Sequence, residues 1–233
     1  MISLPQRLSS EKVRENVERI IIEPLYPAYG YTIGNGLRRV LFSSIPGAAI
    51  TEFKISGISH EFSTIPGVLE DTIVIMQNLK KLRFRLEGED PQKIFLKVKG
   101  AKEVKGRDFK IPSQLELVNG ESQIATLTSP DAKLEIEALV EKGMGYLSRE
   151  EREKKERDIE TILIDAVFSP VKRVGLSVEN VRMGKKTNFD KVILEIETDG
   201  TISPRKVFLL ACEVLKNHFD WLVEQGKELV KES

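Results

Sequence analysis

Between Gly30 and Gly47 the chain reads GYTIGNGLRRVLFSSIPG, and this stretch limits the fold more than any other. At a helical advance of about 100° per residue, Ile33, Leu37, Val40, Leu41 and Ser44 share one arc, the stripe of an amphipathic helix. Asn35, Arg38, Arg39 and Phe42 lie on the opposite side. The spacing predicts a helix over 33–45, with Thr32 as its N-cap and Pro46-Gly47 as its stop. Gly34 and Gly36 fall in the first turns, where each costs about 1 kcal/mol relative to alanine. Such a cost is expected where something approaches the backbone closely. Two adjacent arginines beside an outward phenylalanine have the composition of a protein–protein contact; a core helix with two arginines in water is the plainer alternative.

A helix of this kind needs a sheet or a second helix to cover its stripe, and the composition allows either. The 233 residues suffice for one large domain or two small ones, and 40% of them are hydrophobic. The 36 basic and 36 acidic side chains balance, which argues against a dedicated nucleic-acid binder relying on phosphate neutralisation. The single cysteine, Cys212, excludes an internal disulfide and a four-cysteine zinc site, and fits a reducing cytoplasm. Its apolar neighbours predict a buried structural thiol. Neither a signal peptide nor a run approaching 18 apolar residues is present, so a cytoplasmic chain without membrane attachment is expected.

In chain order, residues 1–12 are polar and expected to be loosely held. VERIIIE at 17–23 reads as a strand, closed by Pro24 and Pro27. A strand over 48–56 and a helical period over 68–80 follow the central helix. Segments 82–86 and 94–98 alternate apolar with charged and are joined by Gly88-Glu89-Asp90-Pro91, predicting a hairpin. Further strands are expected at 115–118, 124–127 and 134–140, with apolar segments at 162–167 and 174–181. REEREKKERD at 149–158 predicts a solvated face, either a helix held by Glu150–Lys154, Glu151–Lys155 and Glu153–Arg157 pairs or a loop. VILEIE at 192–197 alternates as a half-buried strand. Ser203-Pro204 then opens the longest helix, whose apolar face is too broad for one small sheet and calls for a partner helix from another subunit.

Catalytic material is scarce. His60 and His218 share no metal-ligand spacing, and His60 beside Glu61 is read as a loop histidine rather than a general base. Gly30, Gly34 and Gly36 lack the spacing of a dinucleotide fingerprint, and no Gly-Lys-Ser/Thr follows. Ser43-Ser44 lacks the glycines of a nucleophile elbow. No catalytic, metal or cofactor-binding residue is assigned.

The run Gly34 to Gly47 closely resembles the signature of the amino-terminal, dimerisation and assembly domain of bacterial RNA polymerase alpha subunits. So do His60-Glu61-Phe62-Ser63-Thr64, Gly67-Val68-Leu69-Glu70-Asp71, Asn78-Leu79-Lys80, Ser169-Pro170-Val171, Asp190-Lys191 and Glu195 to Thr201. These motifs keep the family's order over roughly 17–225. Gly36 stands where alanine is usual, and Phe42 where an aliphatic residue is common.

The resemblance implies an α+β fold of two domains: a discontinuous dimerisation domain, 1–46 plus 171–233, and an inserted strand-rich domain, 47–170. It implies a homodimer on which the large β and β′ subunits assemble for transcription. Any catalytic magnesium would belong to β′, and no cofactor to this chain. By position, Arg39, with Arg38 and Phe42 beside it, is expected to dock β. Lys80 and Ile164 match positions on the large-subunit face. The dimer interface is expected to draw on Ile33, Leu37, Val40 and Leu41 of the first helix. From the last helix it would take Phe208, Ala211, Leu215, Phe219 and Leu222. Family members continue through a linker into a DNA-binding domain, so a chain ending at Ser233 is expected to be a fragment that assembles without contacting promoter DNA. Transcription regulators are a further partner class. A stand-alone enzyme or ligand-binding protein on the same fold is the alternative, and a direct nucleic-acid binder a third.

Overall fold

The computed structural model describes residues 2–152 and 160–231. The chain mixes helix and strand. Its elements in order are β1 (Arg7–Arg14), β2 (Val17–Leu25), α1 (Tyr29–Ser43), β3 (Pro46–Ile55), α2 (Thr72–Leu79), β4 (Phe84–Leu86), β5 (Gln92–Lys99), β6 (Lys102–Lys105), β7 (Leu115–Leu117) and β8 (Gln123–Leu127). There follow β9 (Lys133–Met144), β10 (Tyr146–Leu147), α3 (Arg149–Arg152), β11 (Ile162–Leu163), β12 (Ala166–Val167), β13 (Val171–Met183), β14 (Lys186–Thr198) and α4 (Pro204–Lys231). They fall into two compact units, Met1–Ile45 with Ser169–Ser233, and Pro46–Phe168.

In the first unit an antiparallel sheet runs β1-β2-β14-β13. Strict alternation in β14 sends Val192, Leu194 and Ile196 to one face, where Ile20 and Ile22 of β2 join them. The stripe of α1, through Leu37 and Leu41, and the start of α4, through Val207, Phe208 and Ala211, close this core. The opposite face carries an ion-pair ladder, Arg14–Glu197 and Arg19–Glu195 at 3.0 and 2.9 Å. Residues 1–12 were expected to be loose, yet from Arg7 the chain forms β1, an edge strand registered on β2 from Arg7↔Glu23 to Arg14↔Val17. The strand has no apolar period because most of it is exposed; backbone pairing holds it, with ion pairs from Arg7 and Arg14 at its two ends.

The second unit has a main sheet in the order β5-β9-β3-β4-β7, with β11 added to β3. Its core is built from Phe53 and Ile55, Ile94 and Leu96, Leu134, Ile136 and Val140, and Ile75 and Leu79 of α2. The Asp71 carboxylate caps α2 by accepting from the Val74 N–H at 2.8 Å. The expected hairpin between 82–86 and 94–98 is not formed. β4 pairs with β3 and β7, whereas β5 pairs with β9 from Gln92↔Val140 to Lys99↔Lys133. The alternating apolar face of β9, twelve residues long, outcompetes the local turn for Ile94 and Leu96. The predicted pairs Glu150–Lys154, Glu151–Lys155 and Glu153–Arg157 lie outside the described residues.

Candidate docking surfaces

Helix α1 begins at Tyr29, three residues before the expected Thr32 cap, and no side chain of its own sequence caps it. Ala28 turns into it with φ 69°, a left-handed conformation costly for a residue with a Cβ. The cap comes from β14 instead. The Asp190 carboxylate, 6% exposed, accepts from the Gly30 N–H at 2.8 Å across 160 residues of sequence. A buried anion at a helix N-terminus satisfies an orphan donor and meets the positive end of the helix dipole. Edge-on ring contacts of Tyr26 with Tyr29 and Phe189, at 6.1 and 6.2 Å, pack the entry turn.

The two helix glycines behave differently. A Cβ on Gly34 would sit 2.6 Å from Leu176 Cδ1, so α1 lies against β13 more closely than alanine permits. Gly36 meets no such neighbour, since a Cβ there would find Leu215 Cδ1 at 3.9 Å, ordinary van der Waals contact. The close approach expected of both belongs to Gly34 and, a turn earlier, to Gly30, which faces Val178 and Asp190.

On the outer side of α1, Arg38, Arg39 and Phe42 are all exposed, and neither guanidinium has an ion-pair partner among the described residues. Of the apolar residues expected at a dimer interface, Leu37, Leu41, Phe208 and Ala211 are consumed by the protomer's own core. Val40 and Leu215 are partly covered. Ile33, Phe219 and Leu222 remain exposed. The 28 residues of α4 extend for about 42 Å. Its buried residues end at Ala211, yet beyond Leu215 the helix still carries Phe219 at 61% and Trp221 at 60% exposure, with Leu222 and Val223 beside them. Along the proximal part runs an apolar groove of about 570 Å³, lined by Leu8, Ile22, Leu25, Ile33, Gly36, Leu37, Phe208, Cys212, Leu215 and Phe219, with Pro5, Gln6, Arg7 and Thr32 at its margin. Cys212, predicted buried, is half-buried in this wall. Burial, and then Glu213, push its thiol pKa up, away from reactive thiolate character.

In the second unit, Lys80 and Ile164 occupy different situations. Lys80 ends α2 and its ammonium donates to Asp165 Oδ2 at 2.9 Å. Ile164 is 0% exposed, so it has no surface to offer a partner. Hydrogen bonding from Lys80 and then from the Arg149 backbone holds the Asp165 carboxyl below the usual range. His60 pairs with Ser63 Oγ at 3.0 Å, while Glu61 is held by Arg149, so the imagined His60–Glu61 base pair is not assembled. Sequence reading missed Asp190, Asp165 and Arg149. The first two stood inside quoted or neighbouring motifs, but their partners are distant in sequence. Among the described residues no group of His, Cys, Asp and Glu could hold a metal ion, and no helix is long and apolar enough to cross a membrane.

The family described as RNA polymerase Rpb3/RpoA insert domain matches residues 53–169. The chain is similar to the DNA-directed RNA polymerase subunit alpha of Aquifex aeolicus, 46% identical over 94% of this chain and 69% of the relative. It is similar to those of Syntrophomonas wolfei, 46% identical over 90% and 66%, and Roseiflexus sp., 49% identical over 86% and 62%. The chain thus spans about two thirds of the length of these relatives. None of them lends support to a stand-alone enzyme or ligand-binding protein.

Proposed function

The chain belongs to the family of bacterial DNA-directed RNA polymerase alpha subunits, and from that premise we propose that it is the homodimeric platform on which the polymerase's large subunits assemble. It contributes no active site of its own; the magnesium and the nucleotidyl transfer belong to β′. One observation carries the dimer: α4 leaves its own core after Leu215 while still presenting Phe219, Trp221, Leu222 and Val223. Covering a side chain of this size stabilises by roughly 1.5–3 kcal/mol, a strong drive for a second copy to lie along the groove and the distal helix. The first unit is then the dimerisation domain and the second the insert, in an α+β arrangement. The dimer works in the cytoplasm, with transcription regulators as a further partner class.

Docking of β falls to the other side of α1. Arg38 and Arg39 have no ion-pair partner among the described residues and sit on a helix held at one end by Asp190 and packed closely at Gly34. A planar fork that pairs a carboxylate or caps carbonyls, beside a half-exposed phenylalanine, is the composition of a binding hot spot. Arg39→Ala is expected to leave the dimer intact and weaken capture of β by about 2 kcal/mol, close to thirtyfold. Pull-down with size-exclusion analysis checks this. Simultaneous loss of dimer and capture would make Arg39 structural and overturn the assignment.

A further inference from the structure

We propose that the edge strand β1 is part of the dimer contact: its Leu8 walls the apolar groove on the outside, and the part of α4 beyond Leu215 from a second copy fills the space between Leu8 and α1. The inference rests on the dimer reading above and adds a wall that neither helix supplies. Leu8 stands opposite Ile22 in the β1–β2 register, and directly opposite residues of neighbouring strands point to the same face of a sheet. Ile22 lies in the core that α1 and the start of α4 close, so Leu8 is on the helix side of the sheet. It is nevertheless 62% exposed. The two helices pack on β2, β14 and β13, which leaves the apolar side of the edge strand uncovered. What would cover it is one more element with an apolar stripe, and the groove of about 570 Å³ between Leu8, Ile33 and Phe219 marks its place.

The chain itself carries an element of that kind. Beyond Leu215, α4 runs on from Lys216 to Lys231 for about 24 Å. Phe219, Leu222, Leu229 and Val230 are exposed along it. At the helical advance they fall within about 60° of one line, the line that Phe208, Cys212 and Leu215 occupy in the groove wall. Phe219 belongs to both, so the overhanging stripe and the groove are continuous. Each protomer thus has an uncovered groove and an uncovered helix end, and a two-fold axis lets each copy fill the other's at once. A small polar ligand would find little to orient it there. Among the described residues the only charged group lining the groove is Arg7, whose guanidinium lies 3.8 Å from Glu23.

The test is the dimer dissociation constant of the whole chain, measured by sedimentation over a dilution series for Leu8→Ala, Leu8→Glu and Val13→Glu. Val13 is a second exposed apolar residue of β1, at 45%, and does not line the groove. Leu8→Ala is expected to raise the constant about tenfold and Leu8→Glu about a hundredfold, because the two-fold axis repeats each change, while Val13→Glu leaves it within about twofold. A second measurement needs no variant: amide exchange over residues 6–12 of the unaltered chain should slow as its concentration rises through the dissociation constant, while β5 exchanges at a constant rate. Unaltered dimerisation of both Leu8 variants, or exchange over 6–12 that ignores concentration, would overturn the inference and leave the platform reading intact. Equal weakening by Leu8→Glu and Val13→Glu would overturn it too, since β1 would then act only through its own stability. A monomer from the unaltered chain would overturn both.

Discussion

Replacing Asp190 by alanine removes the side chain that caps α1 among the described residues, and its cost can be worked from the structure. An N-cap is worth about 1 kcal/mol, and up to about 2 in the strongest cases. The Gly30 N–H would be left inside the protein without its acceptor, a penalty of about 1–3 kcal/mol. These two figures describe overlapping effects, so a loss of about 2–3 kcal/mol is expected. Asp190→Asn keeps an oxygen that can accept from Gly30 and loses only the charge at the helix N-terminus, for about 1 kcal/mol. Thermal and denaturant unfolding of both variants, at one fixed protomer concentration, gives the difference directly. Hydrogen exchange at Gly30 should accelerate in the alanine variant well ahead of amides in β9. A cost below about 0.5 kcal/mol for Asp190→Ala, the level of an ordinary surface change, would refute the cap as the element that fixes α1.

Other consequences are as direct. Gly36→Ala is expected to stabilise by up to about 1 kcal/mol through helix propensity, whereas Gly30→Ala destabilises, because its Cβ would lie 2.7 Å from the stiff Val178 side chain; melting temperatures of the two variants should move in opposite directions. Phe219→Glu places a charge in the proposed intersubunit contact and is expected to give monomer or aggregate on size exclusion, while a soluble, stable dimer would show that this face of α4 is free. Asp165 has a folded pKa below its unfolded value, so its ion pair contributes fully above the ordinary carboxylate range and is lost as pH falls through the depressed value; comparing acid unfolding of the unaltered chain and Asp165→Asn should show the difference between them vanish at low pH.

How much of this was legible depended on the range of the interaction. The stripe of α1, the alternation of β14 and the Ser203-Pro204 start of α4 are local patterns, and the elements form where they lie; the Lys206 N–H meets Ser203 Oγ at 3.4 Å. What failed was decided at a distance. Thr32 was a reasonable cap by spacing, but Asp190 supplies the acceptor at Gly30, two residues earlier. The Gly88–Pro91 turn promised a hairpin that the longer face of β9 dissolved. Gly36 looked as constrained as Gly34, and only the position of Leu176 distinguishes them. In the site, Arg38, Arg39 and Phe42 could be placed outside because opposite faces of a helix are fixed by its period. Leu37, Leu41, Phe208 and Ala211 could not be divided from Phe219 and Leu222, since periodicity shows an apolar face but not which sheet or subunit covers it. Ile164 was expected on the large-subunit face from the resemblance alone; the structure buries it and leaves the next residue, Asp165, partly exposed.

The central claim, that two copies form the platform, is tested most directly by the mass of the unaltered chain in solution, measured by light scattering over a wide dilution series. The account predicts twice the 26.3 kDa protomer mass, persisting at low concentration because the apolar groove and the distal half of α4 are covered together. A folded monomer at all concentrations would mean that Phe219, Trp221 and Leu222 stand in water without a partner copy, and the platform would lose its physical basis.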